Sequence, residues 1–444
     1  MNPTVPINTT RRRWFALGVL ALVVFGGVGL YRYGNSKPAA PDPPAPDLSQ
    51  VDPAIRQVIE TERERVGREP QSGVAWGRLG MAYYAHIFGH EAMACFEQAE
   101  RLDPDNPRWP YFQGLIHLSN DPPAAGEPLR RAVTLVHDDT DGPRLRLGEL
   151  YLRLGRLDEA AEHFGALIKR QPAHARAHLG LARVAHFRGD AVGAREQLRH
   201  AVNHAGTRKA ALMLSADIHQ RHGDARAARQ EQARAVGLPE DPEWPDKYGA
   251  ETAPFQVGEV ARLRLAGQMM ERNREMEAAS ELQQLVRDYP QSAAAWTLLG
   301  WAHMSLEQLP PAEQALRAAL RFDSGQTRAW LYLGVVRLKR GDRTEAIACF
   351  REAGRRQPTY LEAHFNLGVC LKDGGDFEGA VAAFRDALRS QPLSAPVHAH
   401  LGEALLKQGR TEEALGHLRQ AVELNPEDSV ARTLMEEAQK RPTK

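Results

Sequence analysis

Histidine and cysteine are the residues of this sequence whose side chains could bind a metal ion or act as nucleophiles. The chain of 444 residues contains 17 histidines and 3 cysteines. His90 and Glu91 begin the pattern of a helical zinc protease site, but Ala94 stands where that pattern requires its second histidine. Three widely separated cysteines cannot form a disulfide framework or a four-thiolate zinc site, so we expect buried free thiols.

The other short motifs that carry chemistry are missing from the sequence. It contains no glycine-rich phosphate loop, no Gly-x-Ser-x-Gly and no Cys-x-x-Cys. We therefore predict no catalytic residue, no metal site, no cofactor and no small-molecule substrate, and we predict that the protein is not an enzyme. The 57 Lys and Arg residues nearly balance the 56 Asp and Glu residues, a composition that disfavours a nucleic-acid partner.

The N-terminal segment is the most apolar part of the chain. Residues 14–30 lack charged side chains, follow three consecutive arginines and are flanked by aromatic residues. Their number lies at the short end of the roughly 17–25 residues that a membrane-spanning helix needs. We predict a transmembrane helix at residues 14–31 after a short basic tail at residues 1–13. A cleavable signal peptide is the alternative interpretation, because a basic region precedes the apolar core.

The distribution of positive charge predicts the orientation of this span. More basic groups precede the apolar segment than follow it closely, and the positive side of a span usually stays in the cytoplasm. The expected localisation is that of a single-pass protein, in the inner membrane of a bacterium, with the rest of the chain on the periplasmic side. Residues 32–54 are rich in proline, with five prolines in residues 38–50, and we expect them to form an extended linker.

Most of the remaining chain is a tandem repeat with a period of 34 residues. The clearest unit contains Trp76, Leu79, Gly80 and Tyr83, followed by Ala92. In every unit the eighth position is Gly or Ala and the twentieth is Ala, which in repeat 2 is Ala125 after a one-residue deletion, so that two helices can cross closely. The ten units begin at positions 73, 107, 141, 175, 209, 259, 293, 327, 361 and 395.

This pattern resembles the tetratricopeptide repeat (TPR) family. The resemblance implies an all-α fold, a right-handed superhelical solenoid of helix-turn-helix repeats. Each repeat has a first helix, helix A, and a second helix, helix B. The predicted parts of the body are a lead-in helix at 55–72, repeats 1–5 at 73–239, an insert at 240–258, repeats 6–10 at 259–428 and a capping helix at 429–444.

Histidines at the fourth position of several repeats, such as His178, His364 and His398, occupy packing sites of helix A, and we expect them to pack rather than to bind metal.

The insert at residues 240–258 contains Trp244, Tyr248 and several prolines. It could fold into the groove of the solenoid as a built-in ligand, but we expect it to pack over the exposed ends of repeats 5 and 6.

The resemblance implies that the protein binds a protein or peptide in a groove lined by helix A positions 2, 5, 6, 9, 12 and 13. In repeats 7–10 these positions carry an aromatic and apolar set, which is the predicted peptide-binding site: Trp301, Met304, Tyr332, Val335, Phe365, Asn366, His400 and Glu403. In repeats 3–5 they form a predicted secondary basic groove with Arg146, Arg176, Arg183 and Arg221.

The predicted function is that of a non-enzymatic, membrane-anchored scaffold or adaptor that binds a protein or peptide in its groove. An alternative is an assembly factor or chaperone similar to the TPR proteins of cytochrome c maturation, which hold a segment of an apoprotein. That alternative requires a partner with a haem-attachment motif. Both interpretations depend on recognition of an extended segment by the repeats.

Overall fold

The computed structural model describes residues 41–138, 140–242 and 244–440. These residues form 22 α-helices and two short 3-10 helices, Pro122–Ala125 and Gly249–Phe255. The prediction of an all-α repeat fold is therefore confirmed. The helices are α1 (Pro53–Arg68), α2 (Gly73–Ala85), α3 (Gly89–Leu102), α4 (Arg108–Asn120), α5 (Gly126–Leu135), α6 (Gly142–Arg153), α7 (Leu157–Arg170), α8 (Ala175–Phe187), α9 (Ala191–Ala201), α10 (Arg208–Arg221), α11 (Ala225–Val236), α12 (Glu259–Glu271), α13 (Glu275–Asp288), α14 (Ala293–Ser305), α15 (Leu309–Phe322), α16 (Thr327–Lys339), α17 (Arg343–Arg356), α18 (Leu361–Asp373), α19 (Phe377–Ser390), α20 (Ala395–Lys407), α21 (Thr411–Leu424) and α22 (Ser429–Lys440).

Within a repeat, a small residue on helix A receives a large apolar side chain from helix B. A Cβ atom at Gly368 would lie 2.6 Å from a ring carbon of Phe384, which is fully buried. Any larger residue at this position would force the two helices apart. The same pairing joins Gly80 to Phe96 and Gly334 to Phe350. Close packing at this point gives each hairpin its core.

The turn between helices A and B is left-handed at the fifteenth position of nine repeats. Six of these residues are glycines with φ between 74° and 85°, namely Gly155, Gly189, Gly223, Gly341, Gly375 and Gly409. Glycine adopts this conformation without the clash that a Cβ atom causes. Three repeats place Ile87, Asn273 and Glu307 there, with φ of 66°, 54° and 58°.

Aromatic rings at the fourth position of helix A form hydrogen bonds with the turn that follows the preceding helix. The Trp76 Nε1 atom donates to the Pro70 carbonyl oxygen at 3.0 Å, and the His398 Nε2 atom lies 3.0 Å from the Pro392 oxygen. His178 and His364 make the equivalent contact at 2.8 and 3.1 Å. These histidines have the packing role that the sequence predicts, because each ring forms a hydrogen bond with a proline carbonyl oxygen in the turn before its own helix.

The three cysteines are buried free thiols, as expected. Burial raises the pKa of all three, that of Cys349 to about 11, so the thiol form is favoured at neutral pH. Among the described residues, no group of three or more histidine, cysteine, aspartate or glutamate side chains could hold a metal ion.

The second set of five repeats contacts the start of the lead-in helix at one end and repeat 5 at the other. At the first end, the Tyr289 hydroxyl donates to Asp52 Oδ2 at 2.7 Å. At the second end, α11 packs against α21, where the Arg229 Nη2 atom lies 2.7 Å from Glu423 Oε1. The Gln230 side chain also donates to the Glu423 carbonyl oxygen at 3.1 Å. The chain therefore closes on itself across a separation of nearly 200 residues.

The described part of the proline-rich segment is packed rather than extended away from the body. The Tyr83 hydroxyl donates to the Pro44 carbonyl oxygen at 2.7 Å, and Leu48 is buried in the core around repeat 1. Arg56 donates to the carbonyl oxygens of Leu48 and Ser49. The Leu48 carbonyl oxygen also accepts from the Val51 amide at 3.1 Å, so Arg56 binds to a short turn in this segment.

The predicted localisation, a single-pass membrane protein with its repeats on the periplasmic side, is contradicted by the structure. Among the described residues no helix is long and apolar enough to cross a membrane. The longest described helix has 16 residues, whereas crossing a bilayer requires about 20 apolar residues. The predicted span at residues 14–31 and the tail at residues 1–13 lie outside the described residues.

Candidate functional site

The groove of repeats 6–10, called the second groove below, contains the predicted peptide-binding residues on α14, α16, α18 and α20. All eight are half-buried, so that each packs on the core and also presents part of its surface. The rings of Trp301 and Tyr332 stack with their centroids 5.8 Å apart and an angle of 15° between their planes. Met304 and Tyr332 pack on the core of repeats 7 and 8, and Val335 packs beside them on the core of repeat 8.

A second pair of rings lies on the next two repeats. Phe365 and His400 meet edge to face with centroids 5.3 Å apart, and His400 also stacks on Phe384. Burial and the nearby Lys372 ammonium lower the pKa of His400 below its ordinary value. The imidazole is therefore neutral at pH 7 and behaves as a further apolar ring.

The two polar members of the set already have partners. The Glu403 carboxylate accepts a hydrogen bond from Lys372 Nζ at 2.8 Å. The Asn366 side chain donates to the Glu362 carbonyl oxygen of its own helix at 2.7 Å. In the described part of the chain, every hydrogen bond and ring contact of the eight residues stays within one repeat or its neighbour. No distant segment contributes to these contacts.

The four arginines of the predicted basic groove do not act as one site. Arg146 faces Glu149 at 3.2 Å, and although burial disfavours its charged form, Glu149 and Tyr111 raise its pKa. Arg221 forms an exposed ion pair with Asp217 at 3.2 Å. These two side chains are therefore occupied within the protein.

Arg176 and Arg183 do come together, in a pocket of about 240 Å³ between repeats 3 and 5. Glu149 and Asp241 also line it, and the nearest approach of Arg176 to Glu149 is 3.9 Å. Burial, together with Arg176, lowers the pKa of Arg183. Arg183 has no hydrogen bond or ion pair with any described residue. The pocket thus combines one uncompensated guanidinium with carboxylates that reduce its attraction for anions.

The insert at residues 240–258 lies along the groove of repeats 1–5, called the first groove below, and not over the ends of repeats 5 and 6. It begins at α10, where the Asp241 carboxylate accepts hydrogen bonds from the backbone of Lys209 and Ala210 at 2.9 and 2.8 Å. It ends at repeat 1, where Phe255 is buried and its carbonyl oxygen lies 2.7 Å from His86 Nε2.

The middle of the insert is held by aromatic and charged side chains. Trp244 stacks on His174 at 4.8 Å and donates to Asp141 at 3.3 Å. Tyr248 packs edge to face on Tyr111 at 5.6 Å. The Tyr111 hydroxyl donates to Asp246, and Arg108 pairs with Glu251 at 2.8 Å. The insert therefore packs in the groove of repeats 1–5, whereas the sequence favoured packing over the ends of repeats 5 and 6.

The repeat geometry and these grooves define a TPR protein. Residues 145–208 match a tetratricopeptide repeat model, and residues 198–441 match the model described as the cilia and flagella-associated protein 70 C-terminal domain. Because the second match covers more than half of the chain, the protein belongs to this TPR family. A search of curated protein sequences found no match.

Several solved TPR structures are similar to this chain. YrrB, described as a TPR protein with an unusual peptide-binding site, is 20% identical with a TM-score of 0.35, over 40% of this chain and 92% of its own. MamA from Desulfovibrio magneticus RS-1 is 19% identical with a TM-score of 0.35, over 39% and 99%. TTC0263, a TPR protein from Thermus thermophilus, is 22% identical with a TM-score of 0.33, over 41% and 99%.

Proposed function

We propose that the protein is a non-enzymatic scaffold that binds an extended segment of a partner protein in its second groove. The segment carries aromatic or long aliphatic side chains, which pack on the rings of Trp301, Tyr332, Phe365 and His400. This proposal concerns recognition, and it depends on the side chains of the groove rather than on the fold alone.

One observation supports the proposal most directly. The helix A positions that hold the insert in the first groove are the positions that present rings in the second. Tyr111, at position 5 of repeat 2, and Arg146, at position 6 of repeat 3, face the insert residue Asp246. Phe365 stands at position 5 of repeat 9, and His400 at position 6 of repeat 10. The first groove thus provides an internal example of how an extended segment lies on these positions.

The chemistry of the second groove favours an apolar ligand. Its rings are half-buried, and its two polar side chains already have hydrogen-bond partners, so few unpaired polar groups would be buried on binding. Aromatic side chains in such a position usually supply a large share of the binding free energy. A segment with two or three apolar anchors therefore matches the surface better than a highly charged one.

Selection of displayed peptides against the full chain tests this proposal. We expect the selected peptides to contain aromatic or aliphatic anchors, and Trp301→Ala or Phe365→Ala to weaken their binding by about 30-fold, corresponding to about 2 kcal/mol. Calorimetric titration would measure the affinities.

Phe322→Ala provides a matched control, because Phe322 is an aromatic side chain that is 40% exposed and lies outside the set. Its binding is expected to equal that of the wild-type protein. The proposal would fail if the selected peptides bound all three variants equally, or if Trp301→Ala and Phe365→Ala lost helicity and thermal stability, because these rings would then be core.

A further inference from the structure

We propose that the first groove is a second peptide-binding surface, specific for segments with the pattern Asp-x2-Trp-x-Asp-x-Tyr. Residues 240–258 occupy this surface as its built-in competitor. The inference is independent of the function proposed for the second groove, because it depends on the contacts of the insert alone.

The first reason is that the insert completes structure that the repeats lack. Helix α10 begins after Thr207, whose side chain does not cap the helix. The Asp241 carboxylate takes that role from the insert, since it accepts hydrogen bonds from the backbone nitrogens of Lys209 and Ala210. A carboxylate at a helix N-terminus is stabilised both by these bonds and by the helix dipole. The first aspartate of the pattern therefore has a defined receptor.

The second reason is a slot that fits a tryptophan side chain. The Trp244 ring stacks on His174 and meets His204 at an angle of 44°, with centroid separations of 4.8 and 5.5 Å. Its Nε1 atom donates to Asp141, a carboxylate that also contacts the buried His174 ring at 2.9 Å. The slot thus contacts the ring and accepts from the single donor of an indole, which gives it specificity over other apolar side chains.

The third reason is the pair of receptors for the last two residues of the pattern. The Asp246 carboxylate accepts from the Tyr111 hydroxyl, and Arg146 lies close enough to interact with both groups. The Tyr248 ring packs between Tyr111 and Arg108, whose guanidinium carbon lies 5.1 Å from the ring centroid. Asp246 is therefore contacted by the Tyr111 hydroxyl and the Arg146 guanidinium, and Tyr248 by the Tyr111 ring and the Arg108 guanidinium.

The fourth reason is that the first part of the insert has no regular structure. Asp246 accepts hydrogen bonds from the backbone of Tyr248 and Gly249 and precedes the 3-10 helix at Gly249–Phe255, whereas the described residues before Asp246 are positioned by the groove side chains that they contact. A segment held in this way behaves as a tethered ligand with a high effective concentration. A partner with the same pattern must displace it, and the first groove is accessible only when the insert is released.

A synthetic, fluorescein-labelled peptide of residues 239–258 is the probe for this inference. The full chain is compared with a release variant that carries Trp244→Ala and Tyr248→Ala. We expect the release variant to bind the peptide at least 10-fold more tightly than the wild-type protein, measured by fluorescence anisotropy. Tyr111→Phe in the release variant removes the donor to Asp246 and is expected to weaken binding by about 10-fold.

A peptide in which Trp244 and Asp246 are replaced by alanine is the matched control and is expected not to bind. The inference would be overturned if the folded release variant failed to bind the peptide, or if both peptides bound equally. Phe365→Ala should not affect the peptide's affinity, so that failure of this inference can be distinguished from failure of the function proposed for the second groove.

Hydrogen exchange of the wild-type chain gives a second test that does not depend on the release variant folding. We expect the amides of the insert to exchange faster than those of α4 and α10, and to exchange faster still when the unlabelled peptide is added in excess. Exchange of the insert at the same rate as these helices, unchanged by the peptide, would identify it as a fixed part of the core and overturn the inference.

Discussion

At the scale of single residues, Ile87 stands out because it combines backbone strain with exposure. Its φ is 66°, a conformation that costs a β-branched residue roughly 1–2 kcal/mol, and its side chain is 93% exposed. The side chain thus gains almost no packing energy in return. Six other repeats place glycine at the same position.

We expect Ile87→Gly to raise the free energy of unfolding by about 0.5–1 kcal/mol, after the greater freedom of glycine in the unfolded chain is subtracted. Gly341→Ala is the matched opposite change, at φ 85° with open space around the Cβ position, and should lower stability by about 1 kcal/mol. Urea unfolding measures both. A destabilised Ile87→Gly variant would mean that the isoleucine makes a contact that outweighs its strain.

At the scale of helices, the hairpin of α20 and α21 contains a pair of histidines with a defined hydrogen pattern. The Pro392 carbonyl oxygen can only accept, so His398 donates to it from Nε2, and its Nδ1 atom accepts from His417 Nδ1 at 3.0 Å. Burial lowers the pKa of both rings, and His398 lowers that of His417 further. Protonation of both histidines would place two positive rings face to face.

The folded state therefore disfavours protonation of this pair relative to the unfolded chain. Its contribution to stability is present above the unfolded pKa of about 6.5 and is lost as the pH falls below that value. We expect the fall in melting temperature between pH 7.5 and pH 5.5 to be smaller in His398→Gln than in the wild-type protein. His364→Gln, at the same position of repeat 9, is the control. Identical pH dependence in all three proteins would contradict this role.

The sequence predicts the positions of the groove rings but not the path of the insert. The position of Phe365, Tyr332 and the other groove rings follows from periodicity, because each repeat places its exposed helix A positions in the same way. The path of the insert does not follow, since Trp244 meets His174 through a contact that no repeat pattern specifies. The sequence signal for this path was the presence of three aromatic residues and two aspartates within residues 240–258.

At the scale of the whole molecule, closure of the chain depends on contacts that are equally invisible to periodicity. Arg229 and Glu423 meet at 2.7 Å, and Tyr289 and Asp52 meet at the opposite end at 2.7 Å. Both members of the first pair are partly exposed, and such ion pairs contribute less than about 1 kcal/mol. The contact between α11 and α21 is therefore weak to the extent that it depends on this ion pair.

Reversing one charge tests this closure. Arg229→Glu places two carboxylates together, so we expect α11 and α21 to separate and the radius of gyration measured by small-angle X-ray scattering to increase, with little change in helicity. The double variant Arg229→Glu with Glu423→Arg should restore the compact form. An unchanged radius in the single variant would show that apolar contacts between the two helices suffice.

Site-specific photocrosslinking can show whether the second groove binds an extended apolar segment. A benzophenone side chain at Val335, beside the Tyr332 ring, is compared with one at Val192, which is 75% exposed on repeat 4. We expect a peptide selected against the full chain to crosslink from position 335 and not from position 192. Equal crosslinking from both positions, or crosslinking from position 192 alone, would contradict this expectation.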